Sequence, residues 1–120
     1  MSDRLKILYK EVGKRPKPME IEDTLEAKQK LVGGLIEVVP YIDNMLLICN
    51  EEGKILNMPA NLLFDNDYIA GNCFVVGDDF QNEGFKSPTV DEIRTERKDL
   101  INRSVEYENI KEQDFDMEEE

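Results

Sequence analysis

The sequence contains no histidine and no tryptophan, only two cysteines, and no long apolar run. The missing imidazole excludes Ser-His and Cys-His dyads, zincin motifs and ordinary histidine metal sites. Carboxylate pairs alone can hydrolyse glycosides, but only in a cleft lined by aromatic and polar groups, which a 120-residue chain without tryptophan is poorly equipped to build. No stretch approaches the roughly 18 apolar residues that span a bilayer. Residues 1–30 lack the apolar centre of a signal peptide, so the expected setting is the cytoplasm. Bases are also scarce. Fifteen Lys and Arg face 27 Asp and Glu, for a net charge of -12, whereas a general nucleic-acid binder gains affinity by neutralising phosphates with cations.

The two cysteines sit in apolar runs, Leu46-Leu47-Ile48-Cys49 and Cys73-Phe74-Val75-Val76, and neither belongs to a CxxC pair. Both read as small buried hydrophobes; a disulfide requires their strands to be neighbours, and nothing points to an oxidising compartment.

What is present is charge in three zones. Residues 1–18 carry six bases against two acids, residues 19–103 carry 17 acids against eight bases, and residues 104–120 carry eight acids against Lys111 alone. The length suits one compact domain, here placed at residues 1–103. Residues 104–120 form an acidic tail, disordered or extending the last helix, because dense like charge and few apolar residues give it little to fold around.

Within the domain, the alternation of Leu5, Ile7 and Tyr9 with their neighbours predicts a strand. The stretch Gly13-Lys14-Arg15-Pro16-Lys17-Pro18 breaks it, and Met19–Glu22 returns as a short second strand. Asp23 with Glu26 has the form of a capping box for a helix ending near Val32, stopped by Gly33-Gly34. Leu35–Tyr41 and Met45–Cys49 read as a hairpin around Asp43-Asn44, residues that tolerate positive φ. Glu51-Glu52-Gly53-Lys54 turns into a strand at Ile55-Leu56, Asn57–Tyr68 is irregular, and Ile69–Val76 is a strand interrupted at Gly71 and ended by Gly77-Asp78-Asp79. Thr89 with Glu92 is a second capping box, opening a helix over about 90–104. The expected fold is α+β: a mainly antiparallel sheet of about five strands with two helices, both on one face.

Few residues offer chemistry. Asp78, Asp79 and Glu83 supply oxygen ligands, but they lack the alternating acidic spacing of a calcium loop, and carboxylates after a strand end are ordinarily solvated. No phosphate-cradling glycine motif occurs. Asn102-Arg103-Ser104 matches a glycosylation triplet, which means nothing without secretion. The sequence therefore assigns no catalytic residue, cofactor or resident metal. Lys10, Lys14, Arg15 and Lys17 are the one cluster of cations; paired with Tyr9 they could hold a nucleotide, and alternatively they are exposed charges answering the protein's own acids. The acidic residues Asp78, Asp79, Glu106, Glu108, Glu112, Asp114 and Asp116 could present a ladder of negative charge to a basic channel, gaining the steering and counterion-release terms that DNA gains.

Several segments in combination carry a resemblance: Lys6-Ile7-Leu8-Tyr9-Lys10-Glu11, Leu25, Leu31-Val32-Gly33-Gly34-Leu35-Ile36-Glu37-Val38-Val39, Ile48-Cys49-Asn50-Glu51-Glu52-Gly53-Lys54, Pro59-Ala60-Asn61 and Ile69-Ala70-Gly71-Asn72-Cys73-Phe74-Val75-Val76-Gly77. Over about residues 4–95 the chain resembles a small domain-of-unknown-function family of bacteriophages, plasmids and conjugative elements of Gram-positive bacteria. The resemblance implies an accessory role on a mobile element and supplies no catalytic residues. Joined to the acidic charge, it leads to the expectation of a non-enzymatic anti-defence inhibitor, of anti-CRISPR or anti-restriction type. Its partner would be a host defence nuclease or other nucleic-acid-binding effector, bound through a surface that mimics nucleic acid. Two alternatives stand beside it: a sponge for a nucleotide immune messenger using Tyr9, Lys10, Lys14 and Arg15, with Tyr41 or Phe74 for base stacking, and a phage protein with no defence role. Direct nucleic-acid or membrane binding is not expected.

Overall fold

The computed structural model describes residues 3–107 and Ile110. Eight strands and two helices follow in the order β1 (Arg4–Lys10), β2 (Lys17–Glu22), α1 (Leu25–Val32), β3 (Ile36–Pro40), β4 (Met45–Asn50), β5 (Ala60–Phe64), β6 (Asp67–Ala70), β7 (Cys73–Asp79), β8 (Gly84–Lys86) and α2 (Val90–Arg103). The main sheet runs β2-β1-β7-β4-β3 with β8 added to β7, while β5 and β6 form a separate two-stranded ribbon. Every strand pair is antiparallel. The α+β class, the two helices and the mainly antiparallel sheet of about five strands agree with the sequence; β8 and the separate β5–β6 ribbon are additions to it.

Strand alternation divides the core in two. Leu5, Ile7, Ile48, Phe74 and Val76 pack with Val32 and Ala27 of α1 on one face of the sheet. Leu8, Leu47, Cys49, Cys73 and Val75 pack on the other, with Leu62 of β5 and with Ile93 and Leu100 of α2. The helices therefore cover opposite faces, which corrects the one-face expectation: both faces of the central strands are apolar, so each needs its own cover.

The Thr89–Glu92 capping box opens α2 as expected. In α1 the cap is Thr24, whose hydroxyl accepts from the Ala27 N–H, and not Asp23; the Asp23 carboxylate instead holds the buried Lys28 ammonium at 2.6 Å. Asp43 and Asn44 have φ of 52° and 60°, in the turn between β3 and β4. Ile55-Leu56 is not a strand but part of a turn, with Ile55 80% exposed. The segment 57–68, expected to be irregular, contains β5 and opens β6. The strand expected over Ile69–Val76 is two, since Gly71 (φ 87°) sends β6 and β7 into different sheets. The end of the strand at Gly77-Asp78-Asp79 is as expected, since β7 closes at Asp79, but these residues are themselves paired, with Lys86, Phe85 and Gly84 of β8.

Cys49 and Cys73 lie on the neighbouring strands β4 and β7, and both are buried free thiols. No helix among the described residues is long and apolar enough to cross a membrane.

Candidate functional site

A cleft of about 540 Å³ opens between β3–β4 of the main sheet, the turn at 51–57 and the β5–β6 ribbon. Its walls follow from three local devices. Asn50 accepts the Glu52 N–H on its side-chain oxygen and donates its amide to the Val32 carbonyl, so the turn after β4 is tied to the end of α1. Gly53 stands where a Cβ would come within 2.7 Å of the Ala70 carbonyl oxygen, bringing the turn directly against β6. Gly71 donates its N–H to the Pro59 carbonyl at 2.8 Å, and its lack of a Cβ, which would lie 2.8 Å from Met58 Sδ, leaves room for the Met58 side chain. The turn is thus clamped at both ends, and its residues Gly53, Lys54 and Ile55 form one side of the cleft.

The floor is apolar, made by Val39, Cys49, Phe64, Ile69 and Ala70, and the rim carries Glu37, Glu51, Lys54, Asp67 and Tyr68. Lys54 pairs with Asp67 and lies 4.7 Å above the Tyr68 ring. The hydrogen bond between them raises the lysine pKa and lowers that of the aspartate; both are solvent-exposed, so the pair is screened and contributes little to stability. Asp67 being engaged, Glu37 and Glu51 are the rim carboxylates without an ion pair among the described residues. Burial, then the nearby Glu37, pushes the Cys49 thiol up to about 11, so at neutral pH it is protonated and packs as a hydrophobe. Chemically the cleft offers an apolar floor under a net negative rim.

The residues singled out from sequence lie elsewhere. Lys10 is fully buried, its ammonium donating to Asn61 Oδ1 at 2.7 Å and to the Glu11 carbonyl at 3.0 Å. Asn61 returns two bonds through its amide, to the carbonyls of Lys10 and Gly71. Burial lowers the Lys10 pKa to about 8. Its burial corrects the expectation of a solvent-facing cation: Asn61 of β5, 51 positions away in sequence, reaches over it. Arg15 is half-buried and donates to the Ile110 carbonyl at 3.4 Å. Tyr9 is half-buried, its pKa raised by burial and then by Glu11, against a hydrogen bond with Asn72. Lys14 is exposed.

Asp78 and Asp79 stand at the far end of β7 from Cys73, about 20 Å along the strand by the ordinary rise per residue; Asp79 accepts from Asn82 at 3.0 Å. Glu106 is exposed beyond α2 and lies near the β1–β2 loop at Gly13. Glu108, Glu112, Asp114 and Asp116 lie outside the described residues. Of the tail, Ser104 bridges to Leu62, Val105 donates to the Asn61 carbonyl, and Ile110 is buried. Among the described residues no group of three or more acidic or thiol side chains is placed to hold a metal ion.

Sequence reading missed Glu37, Lys54, Asp67 and Tyr68 as members of one site, treating Glu51 as ordinary turn chemistry. Gly53 and Gly71 were visible as turn and bulge positions, and they were the usable signal, since each marks a place where two backbones approach closely.

In comparisons with known proteins, residues 5–101 match the family described as a domain of unknown function, DUF3846. No curated protein and no solved structure is matched.

Proposed function

The chain belongs to the DUF3846 family, described as a domain of unknown function, and on that premise we propose that it is a binding protein without enzymatic activity that inhibits a host defence nuclease on behalf of a mobile element. The inhibitor engages the nuclease's cationic nucleic-acid-binding surface, working in the cytoplasm of the host cell. The observation that carries this reading is the charge displayed at the surface. The chain bears a net -12, two of its cations, Lys10 and Lys28, are withdrawn into the interior, and Lys54 and Arg103 are paired with Asp67 and Asp99. The carboxylates left facing solvent can then meet a basic channel as phosphates would. A nucleotide sponge built on Tyr9, Lys10, Lys14 and Arg15 is less well supported, because Lys10 and Arg15 already hold internal partners.

The test is inhibition of DNA cleavage by purified CRISPR and restriction nucleases, repeated over a range of ionic strength. Inhibition that weakens as salt rises is expected, since screened charges steer and hold less well. Failure to inhibit any such nuclease, with unchanged phage plating, would refute the reading. Calorimetric binding of cyclic dinucleotides would replace it with the sponge.

A further inference from the structure

Among the described residues β3 pairs with β4 alone, so one of its edges is open. The phase of that edge follows from two bonds of the ladder: Glu51 N–H donates to the Leu35 carbonyl at 2.8 Å, and Tyr41 N–H to the Met45 carbonyl at 2.9 Å. With the register Glu37↔Cys49 and Val39↔Leu47, residues 35, 37, 39 and 41 direct their backbone groups to β4. By the alternation of an antiparallel pair, Ile36 and Val38 direct their N–H and C=O outward. Pro40, at the end of the strand, adds only a carbonyl. This edge is unusually well suited to pairing, because Ile36, Val38 and Val39 are β-branched, and Leu35 and Val38 are 54% and 44% exposed. Proteins commonly blunt such an edge with charge or bulges.

The same strand forms a wall of the cleft. Glu37, Val39 and Pro40 line it together with Cys49 and Ile69, so a strand added to β3 would project alternate side chains over the apolar floor and the acidic rim. Charge decides the occupant. The rim bears Glu37, Glu51 and Asp67 against Lys54, and a second copy of this chain would bring another net charge of -12 to the same place.

We propose that the outer edge of β3 and the adjoining cleft receive a short extended segment of a protein partner, basic and aliphatic in alternation, as an added antiparallel or parallel strand. This rests on the reading that the protein binds a cationic protein partner, and names the surface that does so. Backbone bonds to Ile36 and Val38 supply affinity, and the rim carboxylates select for Lys or Arg over acidic side chains.

The experiment uses the full chain and a blocked octapeptide of alternating Val and Lys, with a Val-Glu octapeptide as control. Amide exchange at Ile36 and Val38 is expected to slow on adding the Val-Lys peptide and not the control. Val38→Pro removes an outward N–H while sparing the ladder to β4, and is expected to weaken binding about tenfold, the value of one good hydrogen bond. Glu37→Lys leaves the backbone intact and is expected to weaken it roughly three- to tenfold, with reduced salt dependence. No slowing at Ile36 and Val38, equal binding of both peptides, or undiminished affinity in both variants would overturn the proposal. So would protection of these amides that grows with protein concentration in the absence of peptide, which would mark a second copy as the occupant. Nuclease inhibition fully retained by Val38→Pro and Glu37→Lys would refute the β3 surface and leave the inhibitor reading standing. Peptide capture at β3 without inhibition of any nuclease would do the reverse.

Discussion

Replacing Glu96 by glutamine should make the protein more resistant to unfolding at alkaline pH than at acid pH, relative to the parent. Glu96 lies on the inner side of α2 between Ile93 and Leu100, is 0% exposed, and neither carboxylate oxygen has a hydrogen-bond donor among the described residues. Burial, followed by the neighbouring charges of Glu92, Asp43 and Asp99, raises its pKa from 4.5 to about 7. The native state therefore holds a proton here that the unfolded chain releases at lower pH. Below about 4.5 both states are protonated and ionisation costs nothing. Between 4.5 and 7 native stability falls as pH rises, and above 7 the full cost is present. At about 1.4 kcal/mol per pH unit, the cost reaches about 3 kcal/mol. The glutamine amide is itself unpaired in this site, but that penalty does not vary with pH, so the difference between variant and parent isolates the titration. Urea unfolding of both proteins from pH 4 to 8.5 measures it, other carboxylates cancelling in the comparison. A difference that stays constant across this range would show that Glu96 ionises without resistance in the folded protein and would refute the argument from burial.

Two further outcomes concern the interior and the cleft wall. Lys10→Met removes the ammonium that bonds Asn61 and Glu11, leaving Asn61 Oδ1 without that donor, and should cost about 1–3 kcal/mol in urea unfolding. Because the Lys10 pKa is lowered to about 8 from 10.5, the unfolded parent binds more protons between these values, so the parent should gain stability over the variant as pH rises from 8 to 10.5. Gly53→Ala drives a Cβ to 2.7 Å from the Ala70 carbonyl oxygen, where backbone has to give way. A loss of about 1–3 kcal/mol is expected, read as a lowered urea midpoint, and an unchanged midpoint would show that the turn is not held against β6.

Much of the fold was legible because its signals are short-ranged. The Thr89 and Glu92 spacing, the alternation along β1 and the Asp43-Asn44 turn each act within a few residues, so local sterics and hydrogen bonding suffice to place them. The errors have a physical pattern. Asp23 has the right chemistry for a cap, but Thr24 immediately precedes the first helical residue and Lys28 claims the Asp23 carboxylate. The apolar run from Ile69 to Val76 looks continuous, since the left-handed turn at Gly71 changes direction without changing hydrophobicity. Glu96 looks like a solvated helix charge until its position between Ile93 and Leu100 is set against the sheet.

By itself the sequence determined the acidic character, the α+β class, the extent of α2 and the hairpin of β3 with β4, all of which depend on composition or on neighbours along the chain. Only the tertiary structure decided that Lys10 and Glu96 are buried, that the helices lie on opposite faces, and that Glu37, Glu51, Lys54 and Asp67 share one rim. Burial and proximity depend on which remote segment covers a residue, and here the covering segments, β5–β6 and α2, lie tens of positions away from what they enclose.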